Sequence, residues 1–259
     1  MAIFADQIVS WVATAVWPFA RVTGVLMVAP VFGARFIPMR VRVSIALAFT
    51  FLILPILPTV AEVSPFSWTG LVIVVQQMLI GLAMGFILQL VFDAMVLAGQ
   101  FIAMSIGLGF AFMVDPQRGI NVPVLSQFYL LSATLLFLAM NGHLALVEVL
   151  VTSFTTLPVG VTGLSQDGYW QVVLWAQQIF VGSVKIALPV LASMLLVNLA
   201  FGIISRAAPT LNLFNIGFPA ALLFGFVLIF MSLPAMAPAL RALLDQAHAN
   251  IAVLIGGAG

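Results

Sequence analysis

The chain has 259 residues, 64% of them hydrophobic and only 6% charged, with a mean hydropathy of +1.29 and a formal net charge of +1. Lys, Arg and Asp cost about 2.5–3.5 kcal/mol each at the centre of a bilayer, so their scarcity marks lipid as the main solvent and the chain as an all-α, polytopic integral membrane protein. The near-neutral charge gives no electrostatic footprint for nucleic acid, and the absence of cysteine removes disulfides, thiolate metal sites and thiol chemistry together.

A membrane-spanning helix needs about 20 mostly apolar residues, and six apolar segments are predicted near residues 8–33, 43–60, 68–106, 123–157, 171–204 and 216–233. The first is interrupted only by Arg21. It lacks a positive leader region and runs past any plausible cleavage point, so it is expected to remain as a span. The loop at 34–42 that follows carries Arg35, Arg40 and Arg42. Basic residues in short loops are retained on the cytoplasmic side, so this loop and the 204–215 loop with Arg206 are expected inside, with Asp6, Glu62 and Asp167 at the opposite face.

The third segment is long for one crossing but keeps one helical face throughout. Gly81, Gly85, Gln89, Asp93, Val96, Gln100, Ala103 and Gly107 recur at intervals of four or three residues. A narrow seam of small and polar side chains lets helix backbones approach and gives polar groups protein partners inside lipid. The segment therefore reads as one helix, the alternative being a hairpin broken at Asp93. Gln178, Gly182, Lys185, Pro189 and Ser193 make a second seam on the fifth segment, where Pro189 is expected to kink the helix. Both seams imply packing against neighbours, and more of it than six helices alone supply. The end of the chain, 235–254, reads as an amphipathic helix with Arg241 one turn from Asp245.

Asp93 is an ionisable group inside a membrane segment, which points either to a proton or ion relay or to a buried pair with Lys185 or a neighbouring subunit. The structural reading is favoured, because Arg21, Asp93, Glu148 and Lys185 are spread over four segments with no motif linking them. The chemical motifs are missing. There is no Gly-x-Gly-Asp of intramembrane aspartyl proteases (Gly109 is followed by Phe110), no His-Glu-x-x-His, no Gly-x-Ser-x-Gly and no phosphate-cradling loop. His143 reads as a capping or packing residue, and no catalytic residue, metal site or cofactor is assigned. One stretch stands apart. From Gly107 to Pro123 flexible glycines, Gly107 and Gly109, precede bulky Phe110, Phe112 and Met113, and the chain then turns through Asp115-Pro116 to Arg118. Large apolar side chains on a non-helical element at membrane depth fit a hydrophobic constriction in a conduit.

The order of several short motifs resembles the FliR family of flagellar biosynthetic proteins and its injectisome relatives. They are Pro30-Val-Phe-Gly-Ala-Arg-Phe-Ile-Pro-Met-Arg-Val-Arg42, Val114-Asp-Pro with Asn121-Val-Pro-Val-Leu125, Asn141-Gly-His143, Leu157-Pro-Val-Gly160, Lys185-Ile-Ala-Leu-Pro189, Gly202-Ile-Ile-Ser-Arg-Ala-Ala-Pro209 and Leu211-Asn-Leu-Phe-Asn-Ile-Gly-Phe-Pro219. The Asn-Ile-Gly-Phe-Pro stretch tilts the reading to the flagellar branch. The resemblance implies a non-enzymatic subunit of the type III secretion export gate at the flagellar basal body in the bacterial inner membrane. There it would form, with P-type and Q-type subunits (FliP, FliQ), a helical-bundle pore for unfolded proteins. It further implies an N-terminal part at 1–170 like the P subunit and a C-terminal helical hairpin at 171–259 like the Q subunit. The 107–122 segment would be the plug, with Phe110, Phe112 and Met113 as the seal, and the switch protein FlhB would touch the loops at 34–42 and 204–215 through Arg35, Arg40, Arg42 and Arg206. In such an assembly several helices would rise out of the lipid into a protein cone. Two other functions compete: a small-molecule transporter, which would need internal inverted repeats that this chain does not display, and a scaffold with packing seams but no constriction.

Overall fold

A computed structural model of the chain describes residues 2–33, 37–57, 63–64, 67–108, 124–207 and 213–256. Among these residues the secondary structure is helical, with no strand. The helices are α1 (Ala2–Val28), α2 (Met39–Ile53, prolonged by a 3-10 turn at Leu54–Ile56), α3 (Trp68–Ser105), α4 (Val124–Ala139), α5 (Gly142–Thr156), α6 (Gln166–Trp175), α7 (Gln178–Ala207) and α8 (Leu213–Gly256). Among the described residues four stretches are long and apolar enough to cross a membrane, and five if α4 and α5 count as one broken span. This is the polytopic all-α protein that the composition demands.

The third apolar segment is a single unbroken helix of 38 residues with Asp93 inside it, so the hairpin alternative is excluded. Three other segments differ from expectation. The 123–157 segment is two helices bent by 67° at Met140-Asn141. Asn141 adopts a left-handed φ of 57°, a conformation that Asn tolerates better than most residues. Gly142 follows because a Cβ there would run into the ring of Phe137. The 171–204 segment is also two helices, α6 and α7, and Ser165 caps the first by accepting from the Gly168 N–H at 3.1 Å. Finally, 216–233 and the amphipathic end belong to one helix of 44 residues, α8, which runs through Pro219, Pro234 and Pro238. Likewise α7 continues through Pro189. Membrane helices accommodate proline because the freed carbonyls find other partners.

The chain clusters into two compact units interleaved along the sequence. The first comprises Met1–Leu90, Phe137–Ala176 and Asp245–Gly259, the second Val91–Leu136 and Gln177–Leu244. In the first unit Trp17, Val25, Ile73, Ile80, Phe154 and Ile251 are buried together with a charged residue, Arg21. Trp175, at the end of α6, is buried and donates its indole N–H to the Ile87 carbonyl of α3 at 3.1 Å, so its one polar atom is satisfied. In the second unit Met95, Ile102, Ala133, Val190, Met194 and Leu240 form the interior. There most outward positions of α7 and α8 are apolar, including Leu188, Leu195, Leu199 and Ile203 on α7 and Leu223, Phe226 and Phe230 on α8.

Candidate functional site

Arg21 sits in the middle of an apolar helix and is fully buried. Its guanidinium reaches three places at once. Nε donates to Gln77 Oε1 at 2.8 Å, one terminal nitrogen to the Ser153 carbonyl at 2.7 Å and Ser153 Oγ at 3.1 Å, and the other to the Leu157 carbonyl at 2.8 Å. The cation lies over the Phe154 ring, 4.3 Å from its centroid. All of these acceptors are neutral. The charge is balanced by carbonyl dipoles at the C-terminal turn of α5, the negative end of that helix, and by the π face of Phe154. Only the planar fork of arginine can serve such divergent acceptors. One side chain thereby ties α1, α3 and α5 together.

The α1–α3 contact that carries Arg21 is built on glycine. A Cβ on Gly24 of α1 would stand 2.5 Å from the Met78 carbonyl oxygen, and one on Gly85 of α3 2.8 Å from the Val25 carbonyl oxygen. A Cβ on Gly81 would collide with the carbonyl oxygen of Arg21 itself. The obstacles are backbone atoms, which cannot rotate away. Gly81→Ala is therefore expected to lower stability by about 3 kcal/mol or more, at the upper end of overpacking costs. Thermal unfolding of the detergent-purified protein would measure it, with Gly160→Ala as the control, since a Cβ at Gly160 meets nothing closer than 3.8 Å.

The rest of the seam on α3 divides. Gln89 and Asp93 are half-buried, Ala103 is buried and Gln100 is exposed. Close approach in the second unit occurs instead at Gly99, where a Cβ would lie 2.7 Å from the Ser126 Cα of α4. On α7, Gly182 is buried and a Cβ there would meet the Leu243 methyls at 3.2 Å and Ala94 Cβ at 3.3 Å. Gln178 is half-buried, whereas Lys185 and Pro189 are exposed on the same helix.

Arg40 and Arg206 are exposed, and Arg42 donates from Nε to the Phe32 carbonyl at 3.2 Å, anchoring the start of α2 to the turn after α1. Arg35, Glu62, Gly109, Phe110, Phe112, Met113, Asp115 and Arg118 lie outside the described residues, as does the side chain of Asp6. Gly107 is described. It has a φ of +91°, a conformation natural to glycine, and breaks the end of α3 just before that segment. It also borders a cavity of about 670 Å³ formed within the second unit by the ends of α3 and α7 and the start of α8. Among the described residues no group of three or more His, Asp or Glu side chains is placed to hold a metal ion.

A family model described as bacterial export proteins, family 1, matches residues 12–247. The chain belongs to this family. Relatives include the flagellar biosynthetic protein FliR of Escherichia coli (strain K12), 39% identical over 92% of this chain and 91% of the relative. The protein of the same name from Pectobacterium carotovorum is 36% identical over 90% of this chain and 88% of the relative. That from Aquifex aeolicus is 31% identical over 88% and 89%. The likeness to the FliR family therefore runs along the chain and does not reside in any one motif. The Arg21 cluster was absent from the sequence-based candidates. Its signal was an arginine inside an apolar run, which must find several acceptors, together with the Gln76-Gln77 pair in the apolar run of α3, of which Gln77 meets it.

Proposed function

We propose that this chain is a subunit of the flagellar type III export gate, forming with P-type and Q-type subunits (FliP, FliQ) the pore through which unfolded flagellar proteins cross the inner membrane. The observation that carries this reading is the end-to-end match to relatives named flagellar biosynthetic protein FliR. The same names favour the flagellar over the injectisome branch. In this reading the chain works by assembly and has no catalytic role and no cofactor. Residues 1–170 take the place of a P-like part and 171–259 of a Q-like part. The exposed apolar faces of α7 and α8, with Gln178 and Lys185 on α7, offer surface for neighbouring subunits and for lipid. The loops bearing Arg35, Arg40, Arg42 and Arg206 face the cytoplasm and meet the switch protein FlhB. Residues 107–122 form the plug, and the left-handed Gly107 supports a chain that turns out of α3 there.

The test is replacement. Expressed in an Escherichia coli strain lacking its own FliR, the chain is expected to restore filament assembly and to co-purify with the P-type and Q-type subunits. Failure of both, with normal membrane accumulation, refutes the reading. The orientation is checked separately, because the native chain has no cysteine. Single cysteines at Pro38 and Thr210 are expected to resist an impermeant thiol reagent applied to intact spheroplasts. Cysteines at Ser64 and Asp167 are expected to react.

A further inference from the structure

The cavity of the second unit has the dimensions of a ligand site, about 670 Å³ where such clefts span about 300–1,000 Å³. Met104, Phe201 and Phe218 give it apolar walls, and Gly107 and Gly202 keep its rim open. A Cβ on Gly202 would meet nothing within 4 Å. One residue in the lining does not fit an apolar occupant. Asn198 is exposed on α7 between Leu195 and Leu199, both exposed on a helix long and apolar enough to cross a membrane, and among the described residues no hydrogen bond engages its amide. A bare amide in hydrocarbon costs on the order of 2–7 kcal/mol, so the occupant must bring an acceptor as well as apolar bulk. Asn198, Gly202 and Arg206 follow at intervals of four residues and share one side of α7, which places the exposed Arg206 one turn beyond the rim.

We propose that this cavity is a binding site for an anionic phospholipid: one acyl chain fills it, an ester carbonyl accepts from the Asn198 amide, and the phosphate meets Arg206. The cavity is formed by helices long and apolar enough to cross a membrane, and most exposed side chains around it are apolar, which favours a bilayer lipid as its occupant. Apolar walls, one donor and a cation toward the helix end follow the polarity of a phospholipid from chain to ester to phosphate. The site rests on membrane embedding and on Arg206 being open to lipid, and the choice of partner subunits for the test rests on the export reading.

Phosphatidylglycerol carrying a photoreactive diazirine on its acyl chain tests the site, in nanodiscs holding the chain together with its natural partner subunits. Irradiation is expected to place crosslinks on 104–107, 198–202 and 217–221 in preference to the outer faces of α7 and α8. Gly202→Trp, which fills the cavity from a position with open space, is expected to cut that labelling about tenfold, the equivalent of one unit in log K. Asn198→Leu, which keeps the helix and removes the donor, gives a second reading that needs no bulky side chain. Unlabelled phosphatidylglycerol is expected to compete about fivefold better than phosphatidylcholine, the share of one basic residue near anionic lipid, and Arg206→Gln to erase that preference. Labelling spread evenly over the exposed helix faces and indifferent to Gly202→Trp and Asn198→Leu overturns the proposal. Labelling absent from these residues in the assembled complex overturns it as well, and means that a protein segment occupies the cavity.

Discussion

Arg21→Met is expected to remove most of the folded, monodisperse protein recovered from membranes in detergent. The substitution keeps an unbranched side chain, and what it takes away is the set of donors. The Ser153 and Leu157 carbonyls and Gln77 Oε1 would remain buried at the junction of α1, α3 and α5 with a partner lost. Each such loss costs about 1–3 kcal/mol, and together they approach the 5–15 kcal/mol that holds a typical domain folded. Arg21→Lys is expected to recover little, because a single ammonium cannot span acceptors on two helices in a fixed fork. Arg241→Met, at an exposed position of α8, is the control and is expected to be recovered normally. Adding Gln77→Leu to Arg21→Met removes one orphaned acceptor and should restore part of the yield. Equal yields of Arg21→Met and the parent would show that the cluster does not hold the helices.

Replacing Phe110 and Phe112 together by alanine is expected to leave assembly with the partner subunits intact and to make the cell membrane permeable to small ions. A resting pore wide enough for an unfolded chain has to exclude water and salt, and large apolar side chains do so by dewetting a constriction. Alanine leaves too little bulk for that. A packing change such as Gly81→Ala is expected to do the reverse, reducing the complex before any leak develops, because its clash lies with the α1 backbone. Salt sensitivity of growing cells measures the leak, and co-purification of the partners controls for assembly. Loop variants that assemble and stay as tight as the parent would exclude residues 107–122 as the seal.

The class of protein and the continuity of α3 were legible because both follow from what lipid forbids. Charges are rare because desolvation penalises them, and α3 carries neither proline nor a turn sequence over its 38 residues. The break at Asn141 was hidden for a related reason. Hydropathy is blind to a bend, and the need for Gly142 comes from the Phe137 ring that packs on it, a tertiary fact. Proline misled in the opposite direction, suggesting an end near residue 233 where α8 continues through Pro234 and Pro238. Of the seam on α3, Gly81 and Gly85 were readable from their spacing and do meet a neighbouring backbone. Gly99 was passed over in favour of Gln100, since the register of closest approach shifts along a helix that changes partners. The acceptors around Arg21 come from positions 77, 153 and 157; the last two lie one helical turn apart, but no periodicity links them to 77 or to Arg21 itself.

The length of α8 sets a geometric limit of its own. Its 44 residues extend about 66 Å at roughly 1.5 Å each, against a hydrocarbon layer of about 30 Å. Even at the steep tilt of about 40° reached by membrane helices, only about 26 residues fit inside that layer. About 18 must therefore stand clear of it as a continuous rod. The sequence marks which end is the more polar, for Arg241, Asp245, Gln246, His248 and Asn250 all fall at or beyond position 241. A helix longer than that layer is thick carries its last turns, with Ile251, Leu254 and Ile255 buried, into the packed interior of the first unit.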